Sequence, residues 1–108
     1  MNKIDLLQGT LDLLVLRVLA RGEMHGHGIA DRLSQVSRNA LQLGEGSLYP
    51  ALYRMEAKGW IKAEWAQSDN NRKAKYYALT RAGRKQLEAE QASWDKLAAL
   101  IAELMQNA

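Results

Sequence analysis

From residue 47 onward the spacing of apolar residues changes twice, and few folds accommodate both changes. Leu48, Leu52 and Met55 recur at i, i+4 and i+7, one face of a helix. Ile61, Ala63 and Trp65 then alternate with Lys62 and Glu64, the period-two pattern of a half-buried strand. After Thr80 the helical period returns as an a/d heptad of Leu87, Trp94, Leu97, Ile101 and Leu104, broken by Glu90.

The remaining segments fit around this frame. A helix is expected over 10–20, rich in Leu and Val, with Thr10 as N-cap and Gly22 after its end. Being apolar on most sides, it belongs at the centre of the domain. A second helix is expected over 25–37, with Ile29, Leu33 and Val36 on its buried face. Residues 41–43 can form a very short strand, punctuated by Gly44 and Gly46. The third helix is expected over 47–58, capped by Ser47, with Pro50 in its first turn and Gly59 as its stop. Strands over 60–65 and 74–79 flank a polar turn containing Asp69, Asn70 and Asn71. Tyr76 and Tyr77 point to opposite faces, so at least one is expected in the core. Thr80 caps a last helix over 81–106, about 40 Å long at 1.5 Å per residue.

Composition narrows the function. At 108 residues, 47% of them hydrophobic, the chain is one domain with a core, yet small enough that a partner subunit would help it. The apolar stretch 13–16 is far too short to span a bilayer, and residues 1–7 do not read as a secretory signal. No cysteine is present, which removes disulfides and thiolate metal sites and fits a cytoplasmic location. His25 and His27, the two histidines, do not share a helix face, and with Gly26 and Gly28 they read as a helix start, not a ligand pair. No catalytic triad, Walker loop or paired carboxylates are found, so neither an enzyme nor a bound cofactor is expected.

Net charge is only +3, but window 68–85 carries six Lys/Arg against Asp69 alone. A basic patch on a near-neutral chain suits a polyanion, although a solvated loop also looks like this. Three helices followed by a basic-tipped hairpin and a long helix make a fold that is mainly α with a small β-hairpin, a winged helix-turn-helix. Residues 1–80 would be the DNA-binding domain and 81–108 a dimerisation helix, one compact unit. The major groove of duplex DNA admits one helix, read from its N-terminal end. With Leu48, Leu52 and Met55 inward, the opposite face carries Pro50, Tyr53, Arg54 and Ala57, flanked by Ser47, Tyr49 and Lys58. Arg54 is expected to reach a guanine or a phosphate, and Ser47 and Tyr49 to donate to phosphates. Glu45 beside this end would repel phosphate, or alternatively accept from a cytosine amino group. The hairpin tip offers Asn71, Arg72, Lys73 and Lys75 for the backbone or the minor groove. The last helix needs a second copy to cover Leu87, Trp94, Leu97, Ile101 and Leu104, and a two-fold homodimer would present two reading helices to a pseudo-palindromic site.

The run Gly46-Ser47-Leu48-Tyr49-Pro50-Ala51-Leu52-Tyr53-Arg54-Met55-Glu56-Ala57-Lys58-Gly59 resembles the recognition-helix signature of the PadR family of bacterial regulators. His25-Gly26-His27-Gly28-Ile29-Ala30 is similar to that family's start of helix two. The run from Asn71-Arg72-Lys73 through Thr80-Arg81-Ala82-Gly83 is similar to its wing. The resemblance implies a dimeric winged-helix repressor of the short subfamily, with Ser47, Tyr49 and Pro50 at the major groove and Arg72, Lys73 and Lys75 in the wing. It also implies that Trp94 and its mate frame a pocket for a planar aromatic effector; the alternative is a tryptophan that only fills the dimer core. The competing function is a winged-helix module for protein contacts without DNA, for which three wing cations serve no purpose.

Overall fold

Helix α1, Gln8–Leu19, is apolar on most sides because it packs against three other helices and the sheet. Val15, Leu16 and Leu19 are buried, and only Arg17 of its second half faces solvent. In this computed structural model residues 8–67 and 70–107 are described, apart from the side chains of Gln8 and Glu45. The expectations for residues 1–7, Asp69 and the Glu45 side chain lie outside them.

The order is α1, β1 (Met24–His25), α2 (Gly26–Val36), α3 (Glu45–Ala57), β2 (Ile61–Gln67), β3 (Lys73–Leu79) and α4 (Arg81–Asn107). The three strands form an antiparallel sheet in the order β1-β3-β2. Strand β1 is absent from the sequence reading: two residues carry no periodicity, and Met24 and His25 become a strand only by lying beside Tyr77 and Tyr76. The strand expected over 41–43 does not form; these residues belong to the irregular connection between α2 and α3.

Two caps differ from expectation, and a third was not anticipated. Thr10 lies inside the first turn of α1, which already runs at Gln8. His25, not a hydroxyl residue, caps α2, its Nδ1 accepting from the Gly28 N–H at 2.9 Å. Gly44 caps α3 in place of Ser47. Val36 leaves the core at 66% exposure, because α2 ends there while Ile29 and Leu33 continue inward.

The far end of α3 is tied closely to the start of α4. Gly59 sits at φ +77° as the helix stops. Its N–H donates to Glu56 and that of Trp60 to Met55, the paired bonds of a Schellman close. The Thr80 hydroxyl donates to the Gly59 carbonyl at 2.6 Å and accepts from the Gly83 N–H at 3.0 Å, capping α4 as expected. A Cβ on Gly83 would lie 1.9 Å from the Trp60 carbonyl oxygen, which itself accepts from the Thr80 N–H. Backbone has no rotamer with which to yield, so only glycine fits here. This junction fixes the direction in which α4 leaves the domain.

Leu87, expected at the dimer seam, is instead 7% exposed within one chain and belongs to its core. The first turns of α4 lie against the domain; every side chain from 91 to 107 is exposed.

Candidate nucleic-acid interface

Helix α3 is held by Leu48, Ala51, Leu52 and Met55, all buried, and this sets which side faces out. Ser47, Tyr49, Pro50, Tyr53 and Lys58 are exposed on the outer side and flanks, the positions expected for them. The N–H groups of Ser47 and Leu48 share the Gly44 carbonyl, and the N-cap Gly44 offers no side-chain cap. A helix start without a side-chain cap leaves N–H groups free and carries partial positive charge. Because α3 starts at Glu45, Pro50 falls in its second turn, not its first. Proline has no N–H to give, so the exposed Gly46 carbonyl loses its i+4 donor.

Arg54 departs from expectation. It turns inward, and its Nη2 donates to Asp12 Oδ1 of α1 at 2.5 Å. Asp12 is 4% exposed, so the pair is a link between α1 and α3, and its guanidinium is engaged within the chain. Burial raises the Asp12 carboxyl above its ordinary range; the hydrogen bond and charge of Arg54 pull it down, and Glu90 of α4 adds to the rise. Lys58 remains exposed, its Nζ 4.7 Å from the centre of the Trp60 ring.

Tyr49 has a fixed seat. Its ring covers Gly26 so closely that a Cβ there would come within 2.8 Å of it. The small residue at the start of α2 therefore brings the α3 tyrosine down onto α2 and sets the angle of the helix-turn-helix.

In the hairpin, Asn71 adopts φ 62°, which asparagine tolerates better than most residues, and this turns the chain at the tip. Arg72 and Lys73 are exposed there. Lys75 is half-buried, 3.4 Å from Glu56 of α3 and above the Tyr77 ring. Tyr77 is the tyrosine taken into the core, and burial raises its hydroxyl pKa. Between the hairpin and the α2–α3 pair lies an open groove of about 760 Å³ with Tyr49, Arg72, Lys73 and Lys75 in its walls. The sequence-predicted wing cations and Tyr49 of α3 thus line one groove, which Asp31 of α2 also borders. Trp94 lies elsewhere, half-exposed on α4, and does not line this groove.

Among the described residues no group of three His, Cys, Asp or Glu could hold a metal, and no helix is long and apolar enough to cross a membrane.

A helix-turn-helix followed by a cationic hairpin defines a winged-helix protein. Residues 15–89 match the model of the transcriptional regulator PadR-like family, and the chain belongs to that family. At the level of the family it is a DNA-binding regulator of transcription. It is 34% identical over 86 residues to transcriptional regulator Rv3488 of Mycobacterium tuberculosis, covering 80% of this chain and 77% of that one. The crystal structure of the PadR-like regulator BC4206 from Bacillus cereus superposes with a TM-score of 0.80 at 29% identity, covering 94% of this chain and 96% of that one. A PadR family regulator from Clostridium difficile R20291 gives 0.76 at 32% identity, covering 88% and 97%.

Proposed function

We propose that the chain is a sequence-specific repressor that binds a pseudo-palindromic operator as a homodimer and is released by a small-molecule effector. The observation that carries the reading is the groove in which the wing residues Arg72, Lys73 and Lys75 share walls with Tyr49 of α3. Ser47, Tyr49, Pro50, Tyr53 and Lys58 would meet the major groove. Asn71, Arg72, Lys73 and Lys75 would follow the backbone or enter the minor groove. The repressor role is carried over from the family resemblance.

The test begins by selecting bound fragments from a genomic pool, followed by mobility shifts on the recovered duplex. Arg72→Ala combined with Lys73→Ala is expected to weaken binding about 10- to 100-fold and to lower the salt slope by about two. Binding indifferent to these changes and to salt would favour the protein-contact module instead.

The effector reading makes Trp94 and its mate the walls of a site for a planar aromatic compound. Titrating a planar aromatic cation is expected to quench tryptophan fluorescence in the wild type and far less in Trp94→Leu. Equal quenching in both would reduce Trp94 to a packing residue.

A further inference from the structure

We propose that Trp65 is a DNA contact, its indole packing on the deoxyribose faces of the strand that runs between α3 and the hairpin. The inference rests on the DNA-binding reading above. It starts from parity. Ile61, Ala63, Trp65 and Gln67 share one face of β2, and their partners on β3 are Leu79, Tyr77, Lys75 and Lys73. At the base of the hairpin this face is core: Ile61 and Tyr77 are buried. Two residues further out the same face has outrun the domain, and Trp65 stands 69% exposed directly opposite Lys75. It lines the groove together with Tyr49, Arg72, Lys73 and Lys75, and with Lys73 it also borders a smaller hollow at the tip.

Among the described residues the indole is left mostly uncovered, so the packing of the core does not account for it. Its neighbours say what does. The groove combines cations with an aromatic wall, and a sugar–phosphate strand alternates charged phosphates with apolar sugar faces. Lysines and arginine take the phosphates; a flat apolar ring takes the sugars, and it does so for any base sequence. A protein partner would have to meet the same ring beside Arg72, Lys73 and Lys75, and charged residues are depleted at the core of protein interfaces.

The contact has a signature that separates it from the cations. Apolar packing displaces no counterions, so Trp65→Ala is expected to weaken binding about tenfold while leaving the salt slope unchanged. Lys73→Ala should instead lower that slope by about one. Because sugars are read without regard to sequence, the loss should appear on a random-sequence duplex at low salt as well as on the selected fragment. Trp65→Phe keeps Trp60 and Trp94, so it reports the indole directly: duplex should quench the wild type and quench Trp65→Phe much less. If the wild type binds no duplex, the DNA-binding reading fails first. Should the wild type bind while Trp65→Ala matches its affinity, or Trp65→Phe its quenching, the inference is overturned. A change of sedimentation in Trp65→Ala with affinity intact would also overturn it, assigning the ring to a contact between copies.

Discussion

Arg54→Met is expected to destabilise the folded chain by about 3 kcal/mol at pH 7 in urea melts, more than any surface change in the reading helix. The size follows from what is left behind. Asp12 is buried, and Arg54 supplies both the hydrogen bond and the largest favourable charge acting on it. Without that partner a carboxylate stays in the core beside Glu90, an acid that already opposes its ionisation. The pair itself is not a large source of stability. The Arg54 Nε is buried with no hydrogen-bond partner among the described residues, so the arrangement is incompletely satisfied. Asp12→Leu combined with Arg54→Met should therefore return to within about 1 kcal/mol of the wild type.

The pH dependence fixes the sign. Asp12 titrates above its ordinary value in the folded chain, so the folded state holds this proton more tightly than the unfolded state. Stability due to Asp12 is thus greatest at low pH and falls as pH rises from the ordinary carboxyl range through the raised one. Removing Arg54 lifts the folded pKa further. The deficit of Arg54→Met should widen as pH rises through this window and shrink toward pH 4. A deficit independent of pH, or one kept in full by the double variant, would sink the account. At a temperature where Arg54→Met remains folded, its affinity for DNA should stay within about threefold of wild type, because the guanidinium does not face the groove.

What the sequence made legible was whatever repeats over a few residues. The i, i+4, i+7 spacing of Leu48, Leu52 and Met55 sets the outer side of α3, and with it Ser47, Tyr49, Pro50 and Tyr53. Alternation marked the hairpin, and the Thr80 cap is local enough to be seen in one turn. The misses are of another kind. Arg54 and Asp12 are 42 residues apart, and no spacing rule joins them. Leu87 continues the heptad in sequence, but the first turns of α4 already have the domain beneath them. His25 was read as a helix start without its capping role, since imidazole seldom serves there. Trp65 fits the strand pattern, and only the length of the hairpin beyond the core shows that among the described residues its ring stays mostly uncovered.

Leu97→Asp combined with Ile101→Asp is expected to turn the protein into a monomer by sedimentation and to cost at least 100-fold in operator affinity. From 91 to 107 α4 has no covered side chain, yet Trp94, Leu97, Leu100, Ile101 and Leu104 line it at 47% to 52% exposure. A helical stretch of this length is marginal in water without tertiary packing. Covering half a large apolar side chain is worth about 1 kcal/mol, so five such residues on each of two copies give about 10 kcal/mol before the cost of association. On the proposed homodimer, a second α4 would bring the same seam and close the assembly. Aspartates at the centre would put four charges into that seam, which overwhelms the gain. Two consequences should appear together. The far-UV helical signal should fall as the free stretch frays, while the cooperative melt of the α1–β3 core persists. Operator affinity should collapse because each reading helix then binds its half-site without the other's help. A variant that stays dimeric, or a monomer that binds the operator as tightly as the wild type, would show that α4 does not join the two reading helices.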